Sequence, residues 1–388
     1  EQYSDALFLN KVLEYIQTQL NLPKGSVKLT CLIETLPAIF QTEEIAHALR
    51  DNIVGFNCGR WDYFASMLKN LPDMPFPDRN TLSMDRGFAE AYVRRIVQSC
   101  HKRGMSAMGG MSNKVLTNNP NKNVKIMETV KPDKITELER GCDGFWVAHT
   151  NMVFPLNELA SQHLNTDNQI HFKHTIETPV PTIEDLINIY VDEEGNNMEN
   201  SYTMKVARDN ISVSMQYIAA WLSGNGCVKL NGAMEDLATV EISLQQLRQW
   251  VRLETVLQDN ENEIQFDKEV FTKILFEIYA KLVKSSEVSY ASKYFPIATK
   301  ILEEYVLTEN KVDFLGDIAN KYDKIDTFKP YQFDIKIVNT LKGSGLSGLE
   351  LSKYRANYLK QHLSESGNCY KFMGVTNGVL GTNVVAAG

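Results

Sequence analysis

The 388-residue chain has no long apolar run: Met215 to Leu222 is representative, and it breaks off far short of the roughly 20 residues that cross a bilayer. No transmembrane helix is therefore expected. Cysteine is sparse, at positions 31, 58, 100, 142, 227 and 369, and never in a paired CxxC spacing. Neither a zinc cage nor a disulfide framework follows, and each thiol reads as a small buried hydrophobe in an intracellular compartment. No block of like charge interrupts a net charge of −8, which argues against a nucleic-acid binder. The opening Glu1-Gln2-Tyr3-Ser4-Asp5 has no initiator Met, no basic region and no apolar core of a secretory leader, and reads as a chain entered partway through a gene product. What is present is ordinary globular material, 43% hydrophobic and 23% charged, long enough for two to three domains of about 150 residues.

The first half alternates. A helical pattern over Asp5 to Leu20 precedes a buried-type strand, Val27 to Ile33, that runs into Glu34. A helix over Glu43 to Arg50 leads to a second strand, Ile53 to Asn57, which opens into Cys58-Gly59-Arg60-Trp61-Asp62. A helix at Gly87 to Arg103, a strand at Met105 to Met108 ending in Gly109-Gly110, a helix near Pro132 to Arg140 and a strand at Gly144 to Ala148 complete the series. Four strands alternating with helices predict a parallel α/β arrangement. Residues 155 to 200 change character, with Pro179, Pro181 and the acidic, Asn-rich run Asp192 to Asn200. Beyond them the period is helical: Val206, Asn210, Val213, Tyr217 and Trp221 share one face, and Leu237, Val240, Leu244, Leu247 and Val251 share another. That half reads as all-helical. Past Pro330 the chain turns Gly-, Ser- and Asn-rich. The expected domains are 1–200, 201–330 and a tail, 331–388, of unknown role.

In parallel α/β folds functional groups collect at the C-terminal ends of strands. Glu34 and Asp62 both stand there, one strand-helix-strand step apart, and two carboxylates on neighbouring strand ends suit a hard divalent cation such as Mg²⁺. The bland alternative makes Glu34 a turn cap and Asp62 a partner of Arg60. Gly59 and its turn are candidates to present backbone N–H groups to an anion, and Gly109-Gly110 to admit a ligand closely, although tight strand-helix packing explains glycine at either place. His149 follows the fourth strand and is left unassigned. Asp236, in Met234-Glu235-Asp236-Leu237, reads locally as a helix N-cap. Gly374, Gly378 and Gly381 lack the Lys-Ser/Thr pair of a phosphate loop and are set aside.

Taken together, Leu32-Ile33-Glu34-Thr35-Leu36-Pro37-Ala38, Gly55 to Tyr63, Ala107-Met108-Gly109-Gly110-Met111, Asp143 to His149, and Gly226-Cys227-Val228 with Met234-Glu235-Asp236 resemble malate synthases in residues, order and spacing, as far as about Asp326. The resemblance implies part of a TIM (β/α)₈ barrel followed by an all-helical C-terminal domain that closes over its active-site end. It implies an acyltransferase of the glyoxylate bypass, which condenses acetyl-CoA with glyoxylate to give malate and CoA. On that resemblance Glu34 and Asp62 are Mg²⁺ ligands, and Asp236 is the base that takes a proton from the acetyl methyl group. Gly59, Arg60 and Trp61, with Gly109 and Gly110, border the substrates.

Three departures stand out. The enolate-stabilising Arg of the family's early strands is absent from these residues, and only four or five of eight strands are represented, so the chain is expected to be an incomplete, inactive fragment. His149-Thr150 replaces the family's usual His-Pro. The tail matches no part of the family. A citrate-lyase-β or malyl-CoA-lyase type enzyme and a non-catalytic remnant stay open as alternatives. The compartment is expected to be the cytoplasm or the peroxisome/glyoxysome, with Ala386-Ala387-Gly388 carrying no peroxisomal signal.

Overall fold

A computed structural model describes residues 2–84, 86–171, 178–285, 293–322 and 384–386. The first half holds a parallel sheet of β1 (Leu29–Ile33), β2 (Ile53–Cys58), β3 (Ser106–Ser112) and β4 (Gly144–Val147), side by side in chain order. Helices alternate with these strands: α1 (Tyr3–Gln19) before β1, α2 (Leu36–Phe40) and α3 (Thr42–Ala48) after it, then α4 (Arg60–Asn70), α5 (Gly87–His101), α6 (Pro120–Glu139) and α7 (Val153–His163). A short α8 (Ile183–Ile187) leads towards the second half. Strand β9 (Val384–Ala386), from the tail of unassigned role, lies parallel to β4. The glycine-rich motifs at 343–345 and 374–381 lie outside the described residues.

The expected helix near Pro132 starts a dozen residues earlier. Asn119 accepts hydrogen bonds from the backbone of Asn121 and Lys122, Pro120 takes the first turn, where its missing N–H costs nothing, and Pro132 is carried inside the helix. The second half is a helical domain of α9 (Met204–Leu222), α10 (Leu237–Arg252), α11 (Lys268–Ser285), α12 (Phe295–Leu307) and α13 (Leu315–Ala319). It also contains two antiparallel hairpins, β5 (Val228–Leu230) with β6 (Ala233–Glu235) and β7 (Val256–Asp259) with β8 (Asn262–Gln265). The first turns on Asn231-Gly232, both with positive φ (51° and 80°), the pairing that matches strand twist in a tight hairpin.

Three apolar clusters organise the molecule. One fills the helical domain around Trp250, Phe266, Phe271 and Tyr305; a second lies under β1 to β3; a third joins Val147 to α6 and α7. Helix α10 serves two of them, because its Ile242 packs into the sheet cluster while Trp250 sits in the helical one. Polar bonds reinforce that junction. The proline-rich segment after α4 is held by Gln249, whose Oε1 accepts from Phe76 N at 2.8 Å, by Trp250, whose indole donates to Phe76 O at 2.9 Å, and by Gln246, which donates to Pro77 O at 2.5 Å. Asp78 accepts from the hydroxyls of Ser201 and Thr203 at the start of α9. Buried backbone polar groups without partners are costly, so these side chains fix where the helical domain sits on the sheet.

Candidate active site

Glu34 leaves the end of β1 and Asp62 lies in the first turn of α4, four residues beyond β2. Because Ile33 pairs with Cys58, Glu34 and Gly59 are lateral neighbours. A Cβ on Gly59 would come within 2.6 Å of both Glu34 Cβ and Oε2, so glycine is required for Glu34 to lie across this strand end. Ser66, one turn beyond Asp62, accepts from Leu36 N at 3.0 Å and ties α4 to the segment carrying Glu34. The register of two parallel strands and one helix thus brings the two carboxylates to one place.

Asp236 reaches that place from the helical domain. It caps α10, its Oδ1 accepting from Thr239 N at 3.3 Å, as its local sequence predicts. The hairpin before it is anchored to the loop after β3 by Met234 N donating to Asn113 O at 2.8 Å and by an antiparallel bridge between Lys114 and Ala233. The Asp62 carboxyl is pushed up to about 8, first by burial and then by the negative charges of Glu34, Asp236 and Glu241, with Lys69 opposing. Carboxylates from two domains therefore repel one another across one half-buried space, an arrangement that a cation relieves. Among the described residues no group of three or more His, Cys, Asp or Glu side chains is disposed to hold a metal by itself. A pair of carboxylates with places left for water and substrate oxygens is what Mg²⁺ commonly takes, so the donor set fits it.

The anion-binding expectation needs refinement at Gly59. Its N–H donates to the Tyr92 hydroxyl at 3.0 Å, and that hydroxyl donates in turn to Ile33 O, so this amide is spent on structure. The following turn differs: no side chain caps α4, so the first-turn amides of Arg60 to Asp62 carry no capping bond. Arg60 itself pairs with Asp133 at 3.4 Å and lies over the Trp61 ring, 4.6 Å from its centroid. The Gly109-Gly110 pair has a packing cause. A Cβ on Gly109 would meet Glu137 Oε2 at 2.2 Å, while Gly110 N donates to Glu137 Oε1 and Gly110 O accepts from Lys134 Nζ, at 3.1 and 2.5 Å. His149 has a structural duty as well, its Nδ1 accepting from Asn151 N at 3.2 Å to cap a short turn. Cys58, Cys100 and Cys142 are buried thiols outside any disulfide.

Two acidic-site neighbours escape the sequence reading. Glu241 and Lys69 both act on Asp62, and their mutual distance is 3.3 Å. The signal for Lys69 is its spacing, two helical turns from Asp62 on one face of α4. Glu241 carries none, being one acid inside an otherwise buried face of α10.

Comparison with known proteins decides the kinship. A family model for the malate synthase TIM-barrel domain matches residues 1–189, and one for the malate synthase C-terminal domain matches residues 201–325. The chain belongs to the malate synthase family. Malate synthase A of Escherichia coli (strain K12) is 37% identical over 321 residues, covering 81% of this chain and 58% of that protein. Malate synthase of Dictyostelium discoideum is 35% identical over 341 residues, covering 85% and 61%. The glyoxysomal malate synthase of Brassica napus is 37% identical over 289 residues, covering 73% and 50%. The chain thus spans about three-fifths or less of these relatives' lengths. Among solved structures, a Haloferax volcanii malate synthase ternary complex with pyruvate and acetyl-CoA covers 77% of this chain and 67% of its own at 12% identity and a TM-score of 0.39. Membership fixes the fold class as the malate synthase TIM barrel, here in part, followed by a helical C-terminal domain, and it favours the synthase over the lyase-type relatives. Among the described residues no helix is long and apolar enough to cross a membrane.

Proposed function

We propose that this chain carries the metal-binding and proton-abstracting groups of a malate synthase, an acyltransferase that condenses acetyl-CoA with glyoxylate to give malate and CoA. The observation that carries the reading is the convergence of Glu34, Asp62 and Asp236, from two domains, on a single space.

Glu34 and Asp62 would hold Mg²⁺. When bound, the ion chelates glyoxylate and polarises its aldehyde oxygen. The remaining work falls to the chain. The uncapped first turn of α4 would offer backbone N–H groups to the glyoxylate carboxylate and fix the aldehyde carbon in place. A thioester α-proton is weakly acidic, so a carboxylate removes it only when held against the methyl group. Asp236 would be so held: Thr239 anchors its Oδ1, and Oδ2 would be the oxygen that takes the proton. The methyl carbon, bearing the electron pair of the broken C–H bond, then forms a C–C bond to the aldehyde carbon while the carbonyl π pair moves to oxygen, which takes up a proton to become the malate hydroxyl. Water subsequently cleaves the thioester, giving the malate carboxylate and releasing CoA as a thiol.

The test is calorimetric titration of the chain with Mg²⁺, followed by measurement of thiol release from acetyl-CoA on adding glyoxylate. The expected result is Mg²⁺ binding that disappears in Glu34→Gln and Asp62→Asn, with no thiol release from this partial barrel by itself; release that needs both Mg²⁺ and glyoxylate would overturn its reading as an inactive fragment. Binding unchanged in both variants would overturn the metal assignment.

A further inference from the structure

Glu241 lies just over one turn beyond Asp236 on α10, and Lys69 lies two turns beyond Asp62 on α4. Between them they make an ion pair of 3.3 Å with side chains only 2% and 11% exposed. The carboxylate is fully occupied: Oε2 also accepts from the Tyr305 hydroxyl of α12 at 2.8 Å, and Oε1 accepts from Leu315 N at the start of α13 at 2.5 Å. Tyr305 in turn accepts from Gln245 Nε2 at 2.6 Å. The ammonium group sits 4.1 Å from the centroid of the Phe314 ring. Four helices therefore meet at one buried charge pair. A buried ion pair contributes little net stability beside an apolar replacement, because desolvating both charges offsets most of their attraction. What such a pair does supply is geometry, since each charge has one satisfactory position.

We propose that Lys69 and Glu241 are positioning residues for the condensation, a strut that holds the α10 cap bearing Asp236 at a fixed separation from the α4 turn bearing Asp62. The inference rests on the assignment of Asp236 as base and of Asp62 as metal ligand. The two helices are also joined at the far end of α10 by Gln249, Trp250 and Gln246, but those contacts lie three turns from the cap. The strut is the polar link between the helices within two turns of both functional carboxylates. Misplacement of a reacting group by about 1 Å lowers rate by about 100-fold while leaving distant binding contacts intact, so the strut should act on turnover more than on affinity.

The experiment compares wild type with Lys69→Arg, Lys69→Met, Glu241→Gln and the double variant Lys69→Met/Glu241→Gln. The double variant removes both charges and so leaves none uncompensated in the interior, which keeps the comparison free of simple unfolding. The expected result is a 10- to 100-fold fall in kcat in Lys69→Met, Glu241→Gln and the double variant alike, with KM for both substrates within about twofold of wild type and with recovery in Lys69→Arg. In parallel, Mg²⁺ affinity by calorimetry is unchanged, while hydrogen exchange at the amides of Thr239 and Val240 rises. Full kcat in the double variant, or a loss that falls on KM or on Mg²⁺ affinity instead, would overturn the proposal. Absence of Mg²⁺ binding in wild type makes the functional reading fail by itself; where wild type shows no turnover, with or without that binding, the strut is decided by hydrogen exchange, and unchanged protection at Thr239 and Val240 in the double variant refutes it.

Discussion

The sheet and the helical domain place their acids by different devices. Glu34 and Asp62 are fixed by strand register: Ile33 opposite Cys58, Gly59 too small to obstruct Glu34, and Ser66 tying α4 back to Leu36. Asp236 is fixed by docking, at the tip of a helix whose far end is bonded to the Pro72–Asp78 segment and whose preceding hairpin is bonded to the loop after β3. A register is local to two strands, whereas a docked helix collects its position from distant contacts. The lesson is that the metal pair should tolerate damage in the helical domain, and the base should not.

The sharpest break of this contrast is Asp236→Asn. In the full-length enzyme it should lower malate formation by about 100- to 10,000-fold, the range for loss of a general base, with Mg²⁺ affinity by calorimetry nearly unchanged. Equal loss of both would show that the two sites are not separable. Next comes Trp250→Ala, which empties a fully buried indole and breaks its bond to Phe76 O; denaturant unfolding should register a loss of about 3–5 kcal/mol. Turnover of whatever remains folded should fall further than Mg²⁺ affinity. On the sheet side, Gly109→Ala forces a methyl against Glu137 and should cost about 1–3 kcal/mol in the same measurement, without selective loss of Asp236-dependent chemistry. A last test concerns pH. Asp62 titrates near 8 in the folded protein against 3.8 in its unperturbed state, so the folded state binds the extra proton, and stability falls as pH rises from about 4 through 8. Thermal unfolding across that window should show the decline without metal, and Asp62→Asn or saturating Mg²⁺ should flatten it. An unchanged slope in Asp62→Asn would place the titration elsewhere.

The sheet was the more legible half. Short apolar strands ending in Glu34 and in Cys58-Gly59 declare both their burial and the polarity of their C-terminal ends, and that pairs the two carboxylates before any coordinates. The N-cap reading of Asp236 was equally local, and the structure bears it out; its nearness to Asp62 was not visible locally, because it depends on where α10 docks. Two elements were concealed for identifiable reasons. Pro132 looked like a helix start, but the capping chemistry belonged to Asn119-Pro120. The β5–β6 hairpin was hidden by three-residue strands, although Asn231-Gly232 between Val228-Lys229-Leu230 and Ala233-Met234-Glu235 is a turn signal that was available. Glu241 was invisible in principle. A buried charge is tolerated only through partners contributed by α4, α12 and α13, and a linear pattern does not bring those together.

One further detail reaches beyond its immediate geometry. Where β1 and β2 end, the amide of Gly59 and the carbonyl of Ile33 are joined through the phenol of Tyr92, an inserted rung in place of a direct one. The two strand ends stay yoked although the ladder between them stops there. That link comes just before Glu34 and Asp62, where the two chains give up their pairing and turn to their acids. A tyrosine on a neighbouring helix, distant in sequence and silent in any search for ligands, would then be what keeps the two chains in step at the point where their carboxylates begin.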